Sequence, residues 1–106
     1  MEFEVFFEEE HFAVEVDEQD IANGQEFFAQ MDSDMDGGWR MGPEFVHDPD
    51  ITQRCQIVAE RLMLAIEARK ETLSRAMAAY IVWRIPSIRE LHIDTSGEPL
   101  LTEIIA

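Results

Sequence analysis

Basic residues are scarce in this 106-residue chain, where eight lysines and arginines stand against twenty-three aspartates and glutamates, a formal charge of −15. Phosphate backbones and anionic lipid surfaces both need a basic surface to bind, so direct nucleic-acid binding and membrane-surface binding are excluded as expectations. There is one cysteine, which excludes an internal disulfide framework and any cysteine-cluster zinc site. No run of about 18 apolar residues occurs, so no membrane span is expected. The opening Met1-Glu2-Phe3-Glu4 lacks the basic and apolar regions of a secretion signal, and the chain reads as cytoplasmic. Phosphate-cradling glycine loops, nucleophile elbows and dinucleotide fingerprints are missing too, so no cofactor is expected and the chain reads as non-enzymatic.

What is present is enough for one folded domain spanning residues 1–106: apolar residues make up 46% of the chain and charged ones 29%. The charge is unevenly spread. Residues 1–50 hold sixteen acids and a single base, Arg40, whereas residues 51–106 hold seven of each. The first half is an acidic segment and the second a neutral one with helical periodicity.

Alternation marks the first elements. Phe3, Val5 and Phe7 occupy odd positions and Phe12, Val14 and Val16 even ones, so a single straight strand cannot place both triplets on one face. A hairpin turning through Glu8–His11 can, with Phe7 opposite Phe12, Val5 opposite Val14 and Phe3 opposite Val16. Its other face then sets Glu4 against Glu15 and Glu2 against Asp17. A long strand bulged near Glu8–His11 is the alternative. Beyond it, Ile21, Phe27, Phe28 and Met31 suit a short helix interrupted at Asn23-Gly24, a pair that could equally turn a second hairpin. Asp32–Gly38 reads as a loop by composition.

The second half is clearer. Asp48 is the expected N-cap and Pro49 the first helical residue. Ile51, Cys55, Val58, Leu62, Ala65 and Ile66 follow helical spacing, a break is expected near Ala68–Glu71, and a second helix carries Leu73, Met77, Tyr80 and Ile81 up to Pro86. Leu91 and Ile93 alternate with polar residues as a strand, and Leu100–Ile105 suits another. Hairpins grouped around a helical pair imply an α+β fold, an antiparallel sheet covered on one face by two helices.

Four features could carry function. Asp32-Ser33-Asp34-Met35-Asp36-Gly37 resembles the first half of an EF-hand calcium loop, with carboxylates at loop positions one, three and five and glycine at six. The resemblance implies a divalent cation held by Asp32, Asp34, Asp36 and, as a displaced ligand, Glu44; Pro43 occupies the position where that family has its bidentate glutamate. Cys55 lies on an apolar stripe and reads as a buried structural thiol. The acids Glu2, Glu4, Glu15 and Asp17 would share a strand face suited to a basic protein, and Met35 and Trp39 belong to a Met- and aromatic-rich stretch that could serve as an adaptable partner surface. The principal expectation is a small acidic regulatory or interaction protein that binds a basic macromolecular partner and could also form a homodimer. Cation binding, and mimicry of nucleic acid by the acidic half, are the alternatives.

Overall fold

The computed structural model describes residues 1–106. Its first two strands, β1 (Glu2–Phe7) and β2 (Glu10–Glu15), form the expected hairpin. Two short helices follow, α1 (Glu18–Asn23) and α2 (Gln25–Asp36), then a small hairpin of β3 (Trp39–Met41) and β4 (Glu44–Val46). The long helices α3 (Ile51–Glu67) and α4 (Glu71–Arg84) lead to β5 (Glu90–His92) and, after a 3-10 turn at Pro99–Leu101, to β6 (Glu103–Ile105). The fold is α+β. Its main sheet has the order β2-β1-β5-β6, with two antiparallel pairs at the sides and a parallel β1–β5 pair in the middle, so the sheet is mixed. The long helical crossover from β2 to β5 is what permits that parallel pair.

Alternation decides the sheet's two faces. Phe3, Val5, Phe7, Leu91 and Ile93 are buried toward the helices, with Phe12 and Val14 half-buried beside them on the edge strand. The hairpin is offset from the expected pairing by two residues: Phe3 lies opposite Val14, Val5 opposite Phe12, and Phe7 opposite Glu10. The connection is only Glu8-Glu9, with Glu8 at φ 55°, the positive angle that tight hairpin turns require. An offset of two keeps every side chain on its expected face. Phe7 still reaches Phe12 diagonally, their rings 5.5 Å apart.

α4 runs through the centre of the molecule. Met77 to Val82 are buried without interruption, and Ala78 and Ala79 let neighbouring elements approach closely. α3 begins two residues later than expected: Asp50, not Asp48, caps it, and Asp50 and Gln53 exchange side-chain bonds to each other's backbone N–H. It ends in a Schellman motif, in which Lys70 N–H donates to Ala65 O and Arg69 N–H to Ile66 O. Arg69 takes the left-handed position there, at φ 57°, where glycine is usual.

The largest departure from the sequence reading is at 32–36, which is helix rather than loop. Phe28, Met31 and Met35 form a buried stripe along α2, and their burial carries the helix through the aspartates. Gly24 is the joint between α1 and α2, pressed so closely on the Phe28 ring that a Cβ would lie 2.5 Å from it. The pair Asn23-Gly24 therefore turns no hairpin.

Candidate functional site

Two groups of charged residues stand out, one shielded and one open. The shielded group joins α2 to α3 and α4. Arg54, 8% exposed, donates from Nη1 to Asp32 Oδ1 at 3.1 Å, from Nη2 to Asp36 Oδ1 at 2.8 Å, and from Nε to the Pro49 carbonyl at 2.9 Å. Asp32 also accepts from the Tyr80 hydroxyl at 2.5 Å and from Arg84 Nη2 at 3.0 Å. Arg84 lies over the Trp83 ring, its guanidinium carbon 4.7 Å from the centroid. Burial works against the Asp32 charge, but bonds from Tyr80 and Arg54 and the charges of Arg84 and Arg54 outweigh it and hold the carboxyl below its ordinary range. Burial and the bond to Asp32 push the Tyr80 hydroxyl upward, and burial pushes the Cys55 thiol up to about 12. Neither is poised as a nucleophile at neutral pH. Asp32, Asp36, Arg54 and Arg84 line an open groove of about 720 Å³, and their charges are already paired with one another.

This arrangement accounts for the EF-hand-like motif. On a helix, positions 32 and 36 share a face and position 34 points away. Asp32 and Asp36 meet Arg54, while Asp34 accepts from Gln30 Nε2 at 2.9 Å. Glu44 stands apart on β4, and no three metal-binding side chains converge anywhere in the molecule.

The open group occupies the sheet face that carries no helix. Register places Glu2 beside Glu15, Glu4 between Ala13 and Glu90, and Phe6 between His11 and His92, with Glu103 beyond His92. Five glutamates thus share one surface. No lysine or arginine bridges any of them: Glu15 meets the N-terminal ammonium at 3.1 Å, Glu4 meets His11, and Glu90 meets His92 at 2.9 Å. At the centre three rings stack, with Phe6 between His11 and His92, each 4.4 Å away and nearly parallel. Sequence parity foretold Glu2, Glu4 and Glu15 here. Glu90, Glu103 and the ring stack were missed, because they depend on β1 pairing with a strand more than eighty residues away.

The remaining expected site residues lie elsewhere. Asp17 leaves the strand to cap α1, accepting from Asp20 N–H at 2.8 Å. Met35 is 1% exposed in the core and Trp39 is half-buried against it, so they pin the segment in place and offer no mobile partner surface. His47 packs edge-on against Phe45. Arg84 is committed to Asp32 and does not reach the strand acids. No helix is long and apolar enough to cross a membrane. No protein-family model matches this chain, and no curated protein or solved structure does either.

Proposed function

We propose that this protein is a non-enzymatic interaction module whose open sheet face binds a basic macromolecular partner. The observation that carries the reading is the uncovered face of Glu2, Glu4, Glu15, Glu90 and Glu103, which no lysine or arginine of the chain bridges. Carboxylates in register on a rigid sheet repel one another, with Glu4 beside Glu90 and Glu2 beside Glu15. A cationic surface laid over them relieves that repulsion, so association is fast, weakened by salt, and stabilising to the fold. The ring stack covers both faces of Phe6 and so presents ring edges, with the Glu4 and Glu90 carboxylates bonded to its two imidazoles, as the centre of this surface. A single cysteine with no second thiol to pair with fits a reducing compartment such as the cytoplasm.

The test is capture of partners from the native lysate at low and high salt, with two charge-matched variants compared. Glu4→Lys with Glu15→Lys alters the sheet face; Asp34→Lys with Glu44→Lys makes the same charge change elsewhere. The expected result is a salt-sensitive basic partner retained by the second variant and lost from the first. If both folded variants retain the partner with unchanged salt dependence, the sheet face is not the binding surface.

A further inference from the structure

β2 is an outer strand of six residues, Glu10-His11-Phe12-Ala13-Val14-Glu15, without the proline, lysine or bulge that commonly protects such edges. Its inward partner is fixed by the end of the ladder: Val16 N–H donates to Met1 O at 2.8 Å and the Met1 ammonium donates to Val16 O at 2.9 Å. In an antiparallel ladder the bonding direction alternates, so Phe12, Val14 and Val16 bond toward β1. The N–H and C=O groups of His11, Ala13 and Glu15 therefore point away from the sheet.

Beside this edge runs a groove of about 570 Å³, with an apolar floor of Phe12, Val14, Leu62 and Ile66 and a rim of Glu15, Arg69, Glu71, Ser74 and Arg75. Phe12 and Val14 face the core, yet both stay half-exposed because nothing covers them from the groove side.

We propose that this edge pairs antiparallel with β2 of a second copy, joining two four-stranded sheets into one of eight strands about a two-fold axis at Ala13. The register is set by three requirements. The outward-bonding residues must face each other, which places Ala13 opposite Ala13 and His11 opposite Glu15 of the second copy, a ladder that satisfies the outward groups of all three residues on each strand. The smallest side chain of the strand then lies on the axis. On the core side Phe12 meets Val14 of the second copy, and the two pairs fill both grooves with the kind of aromatic and β-branched contact that stabilises sheets. Charge agrees with this register. An imidazole faces a carboxylate twice, no carboxylate lies directly opposite another, and Arg69 and Arg75 balance Glu15 and Glu71, so the groove is locally neutral although each chain carries −15. Such an interface is isologous and closed, so it yields a dimer and no filament.

Sedimentation equilibrium over micromolar concentrations tests the proposal. The expected result is a species of twice the 12.3 kDa chain mass. Ala13→Pro removes an N–H that the single chain does not use, and it should weaken dimerisation by roughly 100-fold while leaving the far-ultraviolet spectrum of the monomer intact. Should that variant fail to fold, Ala13→Cys replaces it. Cys55 is buried, so mild oxidation should link two copies through position 13, whereas a Ser96→Cys control at an exposed turn stays single. A wild-type protein that stays monomeric overturns the proposal. So does a dimer that survives Ala13→Pro, or cross-linking no greater at position 13 than at position 96.

Discussion

The aspartates of α2 and the glutamates of the open sheet come from the same acidic half of the chain, yet the fold treats them in opposite ways. Asp32 and Asp36 stand in the last turns of α2, where the helix dipole disfavours negative charge. Two arginines from α3 and α4 reach them there, together with the Tyr80 hydroxyl. Glu2, Glu4, Glu15, Glu90 and Glu103 lie on a surface where only two imidazoles and the chain terminus meet them. The first group ties helices together, and the second is met by no lysine or arginine of the chain. Acidity in sequence is thus uninformative about role until the bases have been placed.

The comparison can be broken most forcefully at Arg54. Arg54→Met removes the buried guanidinium that ties Asp32 and the exposed Asp36 to α3; Asp32 keeps Tyr80 and Arg84, so the loss is that of the charge-assisted hydrogen bonds, on the order of 2 kcal/mol. Urea unfolding should show that loss, whereas Glu4→Ala on the sheet should change stability by no more than about 0.5 kcal/mol. Equal losses in the two variants would erase the distinction between the groups.

A smaller effect separates them by pH. The Asp32 carboxyl is held below its ordinary value of 3.8, so its contribution is complete above that value and disappears as pH falls through the lower folded value. Asp32→Asn should therefore be less stable than wild type at neutral pH, with the gap closing at strongly acid pH. Unfolding free energies measured from neutral to acid pH check this. A constant gap would show that Asp32 acts through packing alone.

The smallest expected effect is that of salt on the free protein. Surface carboxylates that outnumber their cationic partners repel, and screening should raise the melting temperature by ~2–4 °C between low and physiological ionic strength. Glu4→Gln with Glu90→Gln should shrink that rise. A melting temperature that falls with salt in both proteins would mean that attractive pairs, not repulsion, dominate the surface.

How much of this was legible depends on the distance over which each decision is made. The faces of β1 and β2 follow from parity, which needs only neighbouring residues, and parity survived the two-residue offset in register. That offset was hidden because Glu8-Glu9 carries no glycine or asparagine to announce a tight turn. The long helices were legible because their apolar positions recur at helical spacing over many residues, and the Ala68–Glu71 break appeared although its left-handed residue is Arg69. The helix at 32–36 was not. Its composition favours a loop, and Met31 and Met35 gain their burial only in the assembled core.

By itself, then, the sequence determined the segregation of charge into an acidic half and a neutral half, the apolar face of the first hairpin, the two long helices and the placing of Cys55 on an apolar stripe. Each follows from local alternation, periodicity or composition. Only the tertiary structure decided that β5 would lie parallel to β1, that Phe6 would be enclosed by His11 and His92, and that Arg54 and Arg84 would go to α2 and not to the sheet. Those outcomes join residues far apart in the chain, and which acid receives a base depends on where burial makes an unpaired charge most costly.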